Sequence, residues 1–137
     1  MLLVVDANEL FSAMIARGKT LDLFFHPEIE LISPSFIVTE FEKYYKEIAE
    51  KSGFSEEETL SFFVLLLPQI TFVHEKGYTS FLSEARKVSP DPNDIHYFAL
   101  ALKLNCFLWS EERKLGEQKK VAVLSTKELL KRTDNGF

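Results

Sequence analysis

The sequence predicts an α/β fold, a three-layer α/β/α arrangement around a parallel central sheet of about five strands. Three observations carry that expectation. Short apolar runs rich in Val and Ile are separated along the chain by segments of helical periodicity. The first run, Met1-Leu2-Leu3-Val4-Val5, is apolar throughout, the pattern of a strand covered on both faces. Acidic residues stand just after the first and fourth runs, where open α/β sheets build their sites.

The elements follow in order. Met1 to Val5 is a first strand, ended abruptly by Asp6. Leu10, Phe11, Met14 and Ile15 form the apolar stripe of a helix that Arg17-Gly18-Lys19 ends, with Gly as the expected stop. Leu21 to Phe25 predicts a helical turn, and Ile29 to Ser33 a short second strand. A helix follows to about Lys51, with Ser35 at its N-cap. Ser55-Glu56-Glu57-Glu58 opens the next helix with a capping-box pattern, and Pro68 stops it. Ile70 to Val73 is a third strand and Tyr78 to Val88 a helix. Asp91-Pro92-Asn93-Asp94 opens the clearest helix, Ile95 to Leu104. Cys106 to Trp109 and Val121 to Leu124 are the last strands, Ser125 to Lys131 a closing helix, and residues 133–137 a frayed tail.

With 137 residues and no internal repeat or linker, the chain is expected to form one domain spanning residues 1–137, its core filled by 13 Phe. Its single Cys excludes an internal disulfide and fits a reducing cytoplasm. No apolar stretch approaches bilayer-spanning length, and no signal-peptide pattern is expected. A net charge of −5 argues against a protein that coats nucleic acid, yet an acidic centre that binds cations is compatible with a nuclease.

Four carboxylates recur at matching places. Asp6 follows the first strand and either caps the following helix or serves a site. Glu40 has Phe36, Ile37 and Tyr44 at −4, −3 and +4, which puts it on the inward stripe of its helix. Asp94 has Tyr97, Phe98 and Ala101 at +3, +4 and +7, though with Asp91 as cap it could equally complete a capping pattern. Glu112 follows the fourth strand as Asp6 follows the first, and acids there also suit a helix dipole. In a doubly wound sheet these positions converge on one edge, where like charges need a cation, and oxygen-only ligands suit Mg²⁺ or Mn²⁺. His96 is expected on the helix surface, and no glycine-rich phosphate loop, Cys cluster or nucleophile elbow is present.

These residues resemble the PIN-domain ribonucleases over nearly the whole chain. The resemblance rests on Val4-Val5-Asp6-Ala7-Asn8, on Glu40, on Asp94-Ile95-His96-Tyr97-Phe98-Ala99-Leu100-Ala101-Leu102, and on Leu108-Trp109-Ser110-Glu111-Glu112-Arg113-Lys114-Leu115. It implies a PIN-like fold and a metal-dependent endoribonuclease, with Asp6, Glu40, Asp94 and Glu112 as catalytic metal ligands for Mg²⁺ or Mn²⁺. Asp is the commoner family residue at the last position, so neighbouring Glu111 stands as a substitute for Glu112. Ser110 would support the site, Asn8 would orient Asp6, and Asp91 would be a cap or a supporting ligand. The resemblance further implies hydrolysis of single-stranded RNA to 5′-phosphate and 3′-hydroxyl ends, with Arg113, Lys114 and Lys120 on the phosphates. Many relatives are VapC-type toxins that pair with an antitoxin and form homodimers. The alternative is a PIN-like module that binds RNA or protein without cutting, which Glu112 alone favours. A phospho-acceptor receiver domain fits poorly, because Val73-His74 stands where its acceptor Asp would be.

Overall fold

The computed structural model describes residues 1–136, with side-chain surroundings through residue 133. Five strands form one sheet: β1 (Leu2–Val5), β2 (Glu30–Pro34), β3 (Ile70–Val73), β4 (Phe107–Trp109) and β5 (Val123–Leu124). The order is β3-β2-β1-β4-β5 and every pairing is parallel. The chain therefore builds outward from β1 on one side, then crosses back to build β4 and β5 on the other. That reversal puts the topological switch point at the carboxyl ends of β1 and β4, the crevice where open parallel sheets bind ligands.

Leu3, Val4 and Val5 are fully buried. Successive strand side chains point to opposite faces, so both faces of β1 are covered, as its unbroken apolar run requires. Among the described residues seven α-helices supply the cover: α1 (Ala7–Ile15), α2 (Gly18–Phe24), α3 (Phe36–Ser52), α4 (Glu56–Leu66), α5 (Leu82–Val88), α6 (Ile95–Leu104) and α7 (Thr126–Gly136). The run Tyr97 to Ala101 of α6 is wholly buried, and this helix packs on β1, β2 and β4 with α5 against it. Helices α1 to α4 form a second connected group, in which α1 packs along α3. Phe41 of α3 stacks on Phe63 of α4 with ring centroids 3.7 Å apart.

Several expectations need correction. Gly18 does not stop α1. Arg17 and Gly18 take φ of 57° and 55°, and this pair of positive φ angles separates α1 from α2 with only Ala16 and Arg17 between them. Arg17 meets that backbone demand while its guanidinium donates to the Ser52 carbonyl at 3.0 Å and lies 4.2 Å from the Phe54 ring. Ser35 stands at the α3 N-cap but is already helical and makes no capping bond. The helix expected from Tyr78 starts only at Leu82, after two 3₁₀ turns, because Tyr78 is buried and its hydroxyl is tied to His96 Nδ1 at 2.8 Å. His96 itself is half-buried, stacked on Phe36, and not on the helix surface. The closing helix runs to Gly136, with Thr133 buried, so residues 133–136 are helical; Phe137 lies outside the described residues. The Ser55–Glu58 capping box forms as expected, with reciprocal bonds of 3.0 and 2.9 Å.

Candidate functional site

Asp6 leaves β1 at the switch point and serves two roles at once. It is the N-cap of α1, accepting the Glu9 N–H at 2.9 Å, and it also accepts from the Ser110 hydroxyl. Only 3% of its surface is exposed. Burial raises its pKa to about 6 against the lowering effect of those two hydrogen bonds, and the nearby charges of Glu112 and Glu111 push further upward. Asn8, expected to orient Asp6, is exposed and makes no hydrogen bond to it among the described residues. The backbone turn into α1 already supplies that bond from Glu9.

Asp94 separates more cleanly from helix duty. Asp91 accepts the Asn93 N–H at 2.9 Å and so caps the 3₁₀ turn Pro92–Asp94. Asp94 then occupies the position before α6 but makes no capping bond. Its carboxyl is raised to about 7, chiefly by burial, then by the charges of Asp6, Asp91, Glu112 and Glu40. Carboxylate oxygens of Asp91, Asp94 and Glu112 all lie within 4.8 Å of one another. Asp91 is thus both a cap and a member of the cluster. Glu40, half-buried on α3, lines the same cavity as Asp6 and Asp94.

The adjacent Glu111 and Glu112 side chains take different directions. The Glu112 N–H donates to Ser110 Oγ at 3.2 Å, and its carboxylate joins Asp91 and Asp94. Glu111 instead turns to the start of α7, where it accepts the Thr126 N–H at 2.5 Å. Arg113, Lys114 and Lys120 are exposed beyond Glu112, and none of them lines the cavity.

Sequence reasoning missed Glu9. It is 1% exposed, and its carboxylate accepts from Thr126 Oγ1 at 3.4 Å and from the Glu111 backbone N–H. Thr126 Oγ1 in turn accepts from Trp109 Nε1 at 3.0 Å. Glu9 therefore joins α1 to the loop after β4 and to the head of α7, which fixes the segment that carries Ser110 and Glu112. Its pKa is raised to about 8, first by burial and then by the charges of Asp6 and Glu111. The available signal was faint: Ala13, four residues on, is fully buried and marks the same helix face.

Tyr97 was likewise read only as core. Its hydroxyl is buried without a hydrogen-bond partner of good geometry, and the Ala7 N–H lies toward it. Burial and the charges of Asp6, Glu40 and Asp94 hold it in the protonated form.

These acids fit a hard divalent cation. Every donor in the cluster is a carboxylate oxygen, and among the described residues the only ion pair is Lys51–Glu47, at 2.9 Å. Among the described residues no basic side chain forms an ion pair with the group, and burial, then the crowding of like charges, pushes Asp6 and Asp94 toward their protonated forms. Crowded acids without counterions are stabilised either by protons or by a cation bound among them.

No curated protein sequence matches the chain significantly. Solved structures that share its fold include the following two. The structure of VapBC2 from Rickettsia felis, bound to a DNA fragment from their promoter, aligns with a TM-score of 0.71 at 14% identity, covering 91% of this chain and 98% of that one. PAE2754 from Pyrobaculum aerophilum aligns with a TM-score of 0.71 at 18% identity, covering 96% and 88%. A PIN-domain family model matches residues 4–132, from the second half of β1 well into α7. That match takes in every carboxylate gathered at the switch point, and the chain belongs to the PIN-domain family.

Proposed function

We propose that this protein is a metal-dependent endoribonuclease that hydrolyses phosphodiester bonds of single-stranded RNA. The observation that carries the reading is the meeting of Asp91, Asp94 and Glu112 within 4.8 Å, beside buried Asp6, at the switch point of a PIN-domain sheet. Asp94, Glu112 and Asp91 would hold a Mg²⁺ or Mn²⁺ ion, with Asp6 and Glu40 completing its surroundings. When bound, such an ion supplies Lewis-acid charge for hydrolysis of a phosphodiester.

The chain's own residues do the positioning. The Glu9 N–H and the Ser110 hydroxyl hold Asp6 in one orientation and favour its ionised form. Asp91 caps the turn that delivers Asp94, so one short segment sets two of the acids. The Trp109–Thr126–Glu9 chain of hydrogen bonds anchors the loop carrying Glu112. The resemblance to VapC-type proteins, together with the shared fold of VapBC2, supports a toxin role with an antitoxin partner; a homodimeric state and a cytoplasmic location are proposed on the resemblance alone. No helix among the described residues is long and apolar enough to cross a membrane.

The test is cleavage of unstructured RNA by purified protein in Mn²⁺ or Mg²⁺, with EDTA as control. Asp6→Asn and Asp94→Asn are each expected to abolish cleavage. Metal-dependent cleavage that survives both substitutions would overturn the site. RNA binding without cleavage in either metal would make the protein a binding module.

A further inference from the structure

A cavity of about 720 Å³ starts at Asp6, Glu40 and Asp94 and continues between α1 and α3, where Glu47 also lines it. Its walls are matching helix stripes, with Phe11 and Ile15 on α1 opposite Tyr44 and Ile48 on α3. From Glu40 to Lys51 the α3 wall runs for about 16 Å at the helical rise. Tyr44 keeps 36% of its surface exposed, and its ring meets Phe11 edge-on across the groove with centroids 5.9 Å apart. Lys43 Nζ lies 5.3 Å from the centre of the Tyr44 ring, while Lys51, which also lines the cavity, is paired with Glu47 at 2.9 Å. Half-exposed aromatic rings, the Lys43 ammonium and a direct opening onto the candidate metal site therefore occur together.

We infer that this groove binds the segment of single-stranded RNA flanking the cleaved bond, with a nucleobase stacked on Tyr44 and the adjoining phosphate on Lys43. The inference rests on the endoribonuclease reading above. An endonuclease substrate continues on both sides of the reacting phosphate, so the cavity that starts at the carboxylates must receive one of those sides. Bases stack on aromatic rings whatever their identity, while ammonium groups track the backbone charge. Lys43 now lies over the ring; a base arriving there displaces it, and the freed ammonium turns to the phosphate. Arg113, Lys114 and Lys120 lie off this path.

The experiment measures binding of fluorescein-labelled single-stranded RNA by anisotropy, with Ca²⁺ replacing Mn²⁺, and cleavage in Mn²⁺. Tyr44→Leu is expected to weaken binding by roughly tenfold or more, as loss of one base stack does, and to raise KM. Tyr44→Phe, which keeps the ring, is expected to recover the binding. Lys43→Gln is expected to flatten the slope of log affinity against log salt by about 0.7, the contribution of one phosphate contact on a single strand. Unchanged urea midpoints would show that the losses are not failures of folding. If wild-type protein binds and cuts RNA while Tyr44→Leu and Lys43→Gln bind as well as wild type, the groove inference is overturned and the nuclease reading stands. If wild-type protein neither binds nor cuts RNA in any of these metals, the nuclease reading fails and takes the groove assignment with it.

Discussion

Replacing Glu9 by Gln should change how the stability of the metal-free protein depends on pH. Glu9 is almost completely buried, and its carboxyl moves from an ordinary value of 4.5 to about 8. Below the unfolded value the group is protonated in both states and carries no penalty. Between about 4.5 and 8 the unfolded chain releases the proton and the folded chain keeps it, so stability falls as pH rises. Above the folded value both forms are ionised and the loss is complete. A shift of that size corresponds to about 5 kcal/mol at full extent, of which about 4 kcal/mol falls between roughly pH 5 and pH 9. Gln keeps the acceptor for Thr126 and Glu111 and removes the titration. Urea unfolding in EDTA should therefore show the variant gaining about 4 kcal/mol on wild type across that range. Parallel stability curves for the two proteins would refute the argument, because they would mean that Glu9 is solvated or ion-paired and not held in a buried, acid-rich seam.

The cluster itself yields two further expectations. With Asp6 raised to about 6 and Asp94 to about 7, Mn²⁺ must displace protons, so affinity should fall as pH drops through this range. Calorimetry in buffers of different ionisation enthalpy should detect the released protons; no proton release near pH 6 to 7 would contradict a cation bound at Asp94 beside Asp6. Glu112→Gln should lower Mn²⁺ affinity by more than the roughly 10- to 100-fold that losing a supporting partner costs, whereas Glu111→Gln should act mainly on the head of α7. Equal losses in a Mn²⁺ titration would show that Glu111 is also a ligand.

Much of the fold could be read from local pattern. The apolar run of β1, the Asp-Pro opening before α6, and the Ser55–Glu58 capping box are signals contained within a few residues, and each formed where expected. The placement of Asp6, Glu40, Asp94 and Glu112 around one edge follows from strand polarity, which alternating strands and helices already imply. The breaks at Arg17 and Tyr78 were not legible in the same way. Arg17 adopts a positive φ while bonded to Ser52, 35 residues away, and Tyr78 is held by His96, 18 residues on.

The sequence by itself therefore determined the α/β class, the order of elements and the set of acids available to a site. Only the tertiary structure decided which acid does what. Asp91 and Asp94 are close neighbours in a run that reads as one cap, yet the cap falls to Asp91 and leaves Asp94 to the cluster. Glu111 and Glu112 are adjacent and identical, and they part because the Thr126 N–H at the start of α7 stands beside one of them. Glu9 looks like a surface acid of a first helical turn until β4, Trp109 and α7 close over it. For Glu111 and Glu9 the deciding partner comes from a distant part of the chain and orients the carboxylate, and for Glu9 the burial that comes with it, which no local pattern encodes, raises the pKa as well.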